Sequence, residues 1–351
     1  MKKIIVVVLS VFVTTGAFAQ NIPNFQTFGT SFENFAHGIA SALPLYSSIG
    51  TNWSSGYGGQ LPHLGFGITA GAATIPGQVV DGLLTDLGLP GIKTMFPSEA
   101  STLIDQYGVP LPGYVVEARI GGIILPFDLG LKFGYVGDKI QGLKLPANMK
   151  LDYTLAGFDI KVPLVKEGFL MPQIAVGGGF NYLHGFVSIP TTSSNITVGN
   201  ITVSNGDTYG VEFTAPNMEF QWDSKVIDAK IQVSKHLLIF TPYVGLGAAY
   251  GFSSAGGGIS SQLLIDDNGG GYLPANAAQI AYLNQALNAL GKGSFTASDT
   301  SVLVSSGANG LGFRAFGGVS VDLLIVHVDA NLMYDFIGKG YGASIGARIQ
   351  W

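Results

Sequence analysis

The sequence contains no cysteine, which excludes both a disulfide framework and a lipid anchor attached through a thiol. Charged side chains make up only 11% of the 351 residues, and 22 acidic residues outnumber 17 basic ones. This balance predicts no nucleic-acid partner, because nucleic-acid-binding domains are basic. Beyond the amino-terminal segment there is no run of about 18 apolar residues, so the sequence predicts no membrane-spanning helix there.

The composition is nevertheless strongly apolar. Apolar residues account for 47% of the chain, the mean hydropathy is +0.38, and 51 residues are glycine. An ordinary secreted globular protein is less apolar than this. A membrane β-barrel resolves the conflict, because its outer face is apolar while its backbone hydrogen bonds close between strands.

The end of the sequence alternates between apolar side chains and small or polar ones. The apolar positions are Tyr341, Ala343, Ile345, Ala347, Ile349 and Trp351. This pattern resembles the carboxy-terminal strand of Gram-negative outer-membrane β-barrel proteins, in which a terminal aromatic residue is read by the barrel-assembly machinery. The resemblance implies that Trp351 is an assembly signal, and that outer-membrane lipid and the assembly machinery are partners.

The amino-terminal segment has the pattern of a secretory signal. Lys2 and Lys3 precede an apolar run, and Ala17-Phe18-Ala19 forms a small-x-small cleavage site. We therefore expect a signal peptide over residues 1–19 and a protein exported to the cell outer membrane. A retained membrane anchor is the alternative, although the run is short for a helical span.

Alternation along the chain predicts about ten strands. They cover roughly residues 62–74, 113–124, 127–136, 148–163, 171–183, 224–235, 239–253, 310–321, 325–336 and 341–351. A further hairpin near 195–206 would raise the count to twelve. The predicted fold is all-β: a transmembrane antiparallel up-and-down β-barrel of about 10–12 strands over residues 61–351, with an N-terminal helical plug and long extracellular loops.

The predicted links alternate between short and long. Links near 125–126, 166–168, 234–236 and 323–324 are short, whereas those near 75–112, 184–223 and 254–309 are long. Outer-membrane barrels have short periplasmic turns and long external loops, so the short links are expected to be periplasmic.

Residues 20–60 are expected to form the plug. Thr30 and Glu33 form a possible capping box, and the predicted helix stops at Pro44. Its apolar face carries Phe32, Phe35, Ile39 and Leu43. Glycines on the inner side of several strands leave space for it, so we expect the helix to enter the lumen from the periplasm; a helix resting outside in the periplasm is the alternative.

One strand changes phase. Leu151, Tyr153 and Leu155 are apolar at odd positions, whereas Phe158 and Ile160 are apolar at even ones. A β-bulge near residues 156–157 would keep both sets in lipid.

The inward sides of the predicted strands carry the charges. The expected lumen-lining residues are Glu117, Arg119, Asp128, Lys132, Lys150, Asp152, Asp159, Lys161, Asp228, Lys230, Arg314, His327, Asp329, Asp335 and Arg348. Seven carboxylates face seven Lys or Arg side chains, which favours mutual pairing over ion selectivity. A pairing network could by itself fill a narrow lumen.

No nucleotide-binding, metal-binding or nucleophile motif occurs, so no cofactor, metal or catalytic residue is predicted. An outer-membrane enzyme is a minor alternative, for which His184, with Asn181 nearby, is the candidate at the outer rim.

We expect an outer-membrane channel or transporter for passive uptake of small molecules. Hydrophobic cargo is favoured by apolar residues in external helices, namely Val79, Val80, Leu83, Leu84, Ile280, Leu283 and Leu287. In this combination of plug and apolar external helices, the chain is similar to the long-chain fatty-acid transporter family. Packing of the loop helices on one another would explain the same pattern. The rival function is a closed structural or surface-interaction barrel without transport.

Overall fold

The computed structural model describes residues 25–50, 52–54, 63–86, 98–121, 127–137, 150–190, 195–202, 207–214, 217–267, 270–289 and 299–351. The predicted signal peptide and the short link near 125–126 lie outside these residues.

Most of the described chain forms antiparallel strands. They are β1 (His63–Ile75), β2 (Val109–Gly121), β3 (Asp128–Val136), β4 (Lys150–Val165), β5 (Gln173–Pro190), β6 (Ile196–Thr202), β7 (Thr208–Phe213), β8 (Asn217–Ser234), β9 (Phe240–Asp267), β10 (Leu273–Pro274), β11 (Asp299–Leu323), β12 (Val326–Asp335) and β13 (Tyr341–Gln350). All except β6, β7 and β10 form the wall. Each wall strand pairs with the next, and β13 returns to pair with β1, so ten strands close without a free edge.

The predicted fold of the outer-membrane type is therefore confirmed, as is the alternation of links. The described short links join β4 to β5, β8 to β9 and β11 to β12, all at one end of the barrel, which we call the short-turn end. The long connections lie at the opposite end, the loop end.

The wall separates apolar from polar side chains by strict alternation. Leu131, Ile227 and Leu332 face outward and are 54%, 57% and 69% exposed, whereas neighbours such as Lys132 and Asp228 point inward and are buried. An apolar outer belt around a polar interior is stable in lipid and unstable in water. The lipid face predicted for the carboxy-terminal strand is confirmed at Ile345 and Ile349, which are 61% and 45% exposed.

Strand β4 corrects one prediction. Its register with β3 runs without interruption from Lys161 to Tyr153, so the bulge expected near residues 156–157 is wrong. The irregularity lies between Pro163 and Val165. Tyr153 and Leu155 consequently point inward and are buried. The change of phase in the sequence marks an apolar patch of the lumen.

Four helices accompany the strands: α1 (Phe25–Tyr46), α2 (Gly77–Asp86), α3 (Ser98–Tyr107) and α4 (Ala277–Ala289). Helix α1 lies inside the barrel, while α2 and α4 occur where apolar periodicity predicted them and α3 was not predicted. Pro44 does not end α1, because the last turn continues to Tyr46 and the Ser47 amide bonds the Leu43 carbonyl at 2.8 Å. None of the described helices is both long and apolar enough to cross a membrane.

A small subdomain stands above the wall at the loop end. The predicted hairpin near 195–206 forms as β6 and β7, but β7 pairs with the far end of β9, at Val211 and Ile265, so the wall keeps ten strands and not twelve. Helix α4 covers this sheet with Ile280 and Leu283, which are buried. We call β6, β7, β10, the end of β9 and α4 the external platform.

Candidate functional site: the plugged lumen

Helix α1 enters the lumen from the loop end. The ring of Phe35 packs at 5.2 Å, edge to face, against Phe220 near the loop end of β8. Gly38 lies against Val79 of helix α2, where the side chain would meet any added β-carbon at 2.4 Å. The expectation that the helix enters from the periplasmic, short-turn side is therefore wrong.

The upper half of the plug is an apolar packing. Phe35, Ile39 and Leu43 are 5%, 6% and 0% exposed, as their periodicity predicted, whereas the side chain of Phe32 lies outside the described residues. At the lower end of the helix, the Tyr46 ring meets Tyr153 edge to face at 5.9 Å. The apolar patch on β4 is thus a surface on which the helix packs.

Below the helix, residues 47–50 and 52–54 continue toward the short-turn end, and we call them the lower plug. Lys132 donates from Nζ to the carbonyls of Ser47 and Ile49, the latter at 2.9 Å. Lys161 donates to the Trp53 carbonyl at 3.0 Å. Two wall cations thus bind backbone oxygens of the plug and are not available to a solute.

Gln232 fixes the end of the lower plug. Its Nε2 donates to the carbonyls of Trp53 and Ser54 at 3.0 and 2.7 Å, while Arg348 donates to the Ser54 hydroxyl at 2.9 Å. These wall residues lie near the short-turn ends of β8 and β13. The chain therefore runs the length of the described lumen before β1 begins.

Trp53 is enclosed on all sides by the wall. Its indole Nε1 donates to Glu117 Oε2 at 2.9 Å, and the guanidinium carbons of Arg119 and Arg348 lie 5.1 and 4.9 Å from its ring centroid. Both distances suit cation–π attraction. A β-carbon at Gly65 would lie 2.7 Å from the ring, so only glycine leaves room for it there. We call Trp53, Glu117, Arg119, Arg348 and Gly65 the Trp53 site.

The remaining inward charges pair with each other. The pairs are Arg119 with Asp159 at 2.9 Å, Arg119 with Asp128 at 3.9 Å, Lys230 with Asp159 at 3.5 Å, Arg314 with Asp228 at 2.6 Å, and Arg348 with Asp329. These inward charges thus form a network that joins adjacent strands and strands separated by one other strand. Such a network leaves no excess of one sign to select ions.

Most residues predicted to line the lumen are placed inside it and buried. They are Glu117, Arg119, Asp128, Lys132, Asp159, Lys161, Asp228, Lys230, Arg314, Asp335 and Arg348, with Asp329 only 13% exposed. His327 lies at the short-turn rim, where Nδ1 is 2.6 Å from Asp322 Oδ1. Asp152 instead shares the outward side with Thr154 and Phe158, because β4 has no bulge. The side chain of Lys150 lies outside the described residues.

Sequence reasoning missed Trp53, Thr69 and Gln232. Thr69 donates to Glu117 Oε2 at 2.9 Å and completes the acceptor's contacts. The available signal was that Trp53 is one of only three tryptophans and falls in the predicted plug segment. A buried indole needs a partner for its N–H, which the inward carboxylates provide.

Part of the described lumen, beside the lower end of helix α1, is tightly filled. The pocket lined by Pro44, Leu45, Ala249, Gly312, Arg314 and Asp335 is too tight to hold a water molecule. Within the described ranges, no group of three or more His, Asp or Glu side chains is arranged to hold a metal ion. Where the lower plug is bonded to the wall, this arrangement can seal a barrel.

The residues offered for an enzyme at the outer rim do not meet. His184 is exposed on the outer side of β5, 3.7 Å from Asp223, whereas Asn181 is 1% exposed on the inner side. Their opposite directions remove the argument for a shared active site.

The apolar external helices are also accounted for by packing. Ile280 and Leu283 are buried in the external platform, and Val79 packs on helix α1. The side chains of Val80, Leu83, Leu84 and Leu287 lie outside the described residues. The described residues of this set are therefore engaged in packing, while Leu103 of α3 and Tyr282 of α4 are 57% and 37% exposed.

Comparison with known proteins gives only distant likenesses. No protein-family model matches the chain, and no curated protein matches it. Among solved structures, it is similar to the translocator domain of the autotransporter NalP from Neisseria meningitidis, with 7% identity, a TM-score of 0.31, and coverage of 83% of this chain and 88% of that one. For the transport unit of the autotransporter AIDA-I from Escherichia coli, the identity is 11%, the TM-score 0.28 and the coverages 91% and 98%. For the CymD monoaromatic hydrocarbon channel, the identity is 9% and the TM-score 0.21, with coverage of 97% of this chain and 95% of that one. At these TM-scores the likenesses carry no argument about function.

Proposed function

We propose that the protein is a sealed outer-membrane barrel that supports the external platform at the cell surface, where the platform contacts other molecules. The observation that carries this proposal is the lower plug, which is bonded to the wall by Lys132, Lys161, Gln232 and Arg348. Residues 1–19 would act as the signal peptide that brings the chain to this membrane.

Opening the lumen would be costly. Withdrawal of the lower plug would break the hydrogen bonds from Lys132 and Lys161 to its carbonyls, and a hydrogen bond to a charged group contributes about 1.5–3 kcal/mol. The Trp53 ring would also lose its two guanidinium contacts. Spontaneous opening is therefore expected to be rare.

Passive uptake of small molecules, the function predicted from the sequence, requires the lower plug to leave. The argument that the cargo is hydrophobic is weakened, because Ile280 and Leu283 are buried within the external platform. Uptake is accordingly the second candidate, and the sealed barrel fits the geometry better.

Single-molecule conductance in planar bilayers separates the two functions. The full-length protein should show no steady current, whereas Trp53→Ala should show brief openings because the ring and its bond to Glu117 are lost. Phe313→Ala, on the outer face, serves as the control and should stay closed. Steady conductance by the full-length protein, together with uptake of labelled small molecules into vesicles, would contradict the sealed barrel and support transport.

A further inference from the structure

The turns at the short-turn end are apolar where water-facing turns are polar. In the β4–β5 link, Phe169 and Leu170 are 96% and 85% exposed, and the tips of the next two hairpins are Leu238 at 91% and Leu324 at 99%. These three hairpins are consecutive around the wall. Contiguous apolar surface of this kind on a soluble face marks an interface.

Two of these tips have a backbone conformation that normally selects a different residue. Leu238 and Leu324 have φ angles of +57° and +58°, in the left-handed region that Gly, Asn and Asp occupy more readily. The turn between β12 and β13, at the loop end, uses the exposed polar residue Lys339 for the same conformation, at +51°. Turn geometry therefore does not explain why leucine occupies the short-turn tips.

Several backbone groups beside the tips form hydrogen bonds within the protein. Leu237 and Phe240 exchange hydrogen bonds of 2.7 and 2.9 Å, and the Gly168 amide bonds the Met171 carbonyl at 3.0 Å. Protein at the depth of the hydrocarbon must satisfy its backbone internally, whereas a turn in water has no such need.

The turns are also bonded to each other. Lys235 donates to the Gly168 carbonyl at 2.5 Å, and the Asp322 amide donates to the Ile239 carbonyl at 2.7 Å. The charges near the tips form pairs among themselves, with Lys235 3.2 Å from Glu167 and with His236 and His327 at 3.3 and 2.6 Å from Asp322. These polar groups thus bond one another, Lys166 of the β4–β5 link is exposed, and the apolar side chains at the tips are exposed as well.

The apolar turns are continuous with the lipid-facing belt. The belt reaches the turns through Leu164, Leu323 and Val326, which are 61%, 54% and 40% exposed. The Gln350 amide bonds the Ile325 carbonyl at 2.8 Å, which places this turn beside Trp351, an aromatic residue of the kind found at membrane interfaces.

We propose that Phe169, Leu170, Leu238 and Leu324 form an apolar collar inserted among the acyl chains of the adjacent leaflet. The occupant of this surface is membrane lipid. The short-turn rim then lies within the membrane, and contacts with soluble partners are confined to the loop end. This proposal is independent of whether the lumen is sealed.

Depth measurements test the collar directly. Because the chain has no cysteine, single variants Leu238→Cys and Leu324→Cys can be labelled with an environment-sensitive fluorophore without background. In phosphatidylcholine vesicles, both labels should emit as far to the blue as Val328→Cys in the belt, and lipids carrying a quencher in the acyl chain should quench them equally. Lys339→Cys is the water-exposed control. Emission like that of the control, with quenching by iodide, would overturn the proposal.

The same labels distinguish lipid from a second copy of the chain. Blue emission that is insensitive to the lipid quencher and rises with the protein-to-lipid ratio would mean that another copy covers the collar, and the proposal would fail.

Replacing leucine by asparagine gives a second, independent test, because the denaturant midpoint should rise if the rim is in water and fall if it is in lipid. If the rim were in water, Leu324→Asn would raise the denaturant midpoint in vesicles, because asparagine suits the left-handed conformation better than leucine. If the rim is in lipid, the same change lowers the midpoint and the folded fraction. Lys339→Asn, with the same backbone conformation in water at the loop end, is the control and should raise the midpoint slightly. A midpoint for Leu324→Asn at or above that of the original chain would contradict the collar.

Discussion

The indole Nε1 of Trp53 donates a hydrogen bond of 2.9 Å to Oε2 of Glu117, and this is one of the bonds that join the plug to the wall. Both side chains are buried, at 4% and 7% exposure, so neither can exchange this partner for bulk water. The contact unites the plug and the barrel into one packed body, which has consequences for stability as well as for permeability.

Loss of the indole should destabilise the folded barrel. Trp53→Ala removes a large buried ring and should cost about 3–5 kcal/mol of unfolding free energy. Trp53→Phe keeps an aromatic face for the two guanidiniums but leaves Glu117 with one donor fewer, and should cost about 1–3 kcal/mol. Urea unfolding in lipid vesicles measures both. Equal losses would show that the ring's contact with the arginines contributes nothing.

The inner and outer faces of the wall should respond in opposite ways to charge. Glu117→Gln keeps an acceptor for Trp53 and Thr69 and should cost about 1 kcal/mol, as for a typical altered hydrogen bond. Val116→Lys, near the middle of β2 on its 49% exposed outer side, places a charge in lipid and should cost about 2–4 kcal/mol. The same unfolding assay ranks the two variants. A larger loss for Glu117→Gln would reverse our assignment of the faces.

Much of the wall could be predicted from the sequence, because alternation is a local property. Strand β12, for example, carries outward Val326, Val328, Ala330 and Leu332 at intervals of two, and lipid on one side imposes that period regardless of the rest of the chain. The alternation of short and long links followed in the same way.

The Trp53 site could not be predicted, because its contacts join distant parts of the sequence. Trp53 and Glu117 are 64 positions apart, and no local pattern relates them. Tyr153 and Leu155 were misassigned for a related reason: hydrophobicity alone does not distinguish a side chain that faces lipid from one that faces an apolar plug. Because the number of wall strands is even, the sequence predicted at which end of the barrel β1 begins. That number carries no information about the path of α1 before β1.

Orientation in the membrane can be checked with epitope tags. Tags inserted near Asn205 and Gly270, in the connections of the external platform, should be labelled on intact cells, whereas a tag near Lys166 in a short link should be labelled only after permeabilisation. Labelling at Lys166 alone would invert the barrel.

Trp351 should be important for assembly. It is 57% exposed and its ring lies 6.1 Å from Phe66, so it sits with the outward belt near the short-turn end. Replacement by Asp should leave export intact but reduce the amount of heat-modifiable, folded barrel, because a charge replaces an interfacial aromatic. Replacement by Phe is the matched control and should assemble normally. Wild-type amounts of folded Trp351→Asp would remove this role.

The direction of helix α1 gives the prediction that depends most on the structure. Because Phe35 contacts the loop end of β8 while Trp53 lies near the short-turn end, the chain before α1 should leave the barrel on the outer side. An epitope inserted after Gln20 should therefore be labelled on intact cells, together with one near Gly270. The tag near Lys166 is the control for membrane integrity. If the Gln20 epitope becomes accessible only after permeabilisation, while the Gly270 epitope is accessible on intact cells, then α1 enters from the short-turn end as the sequence suggested, and the contacts of Phe35 described above do not form in the cell.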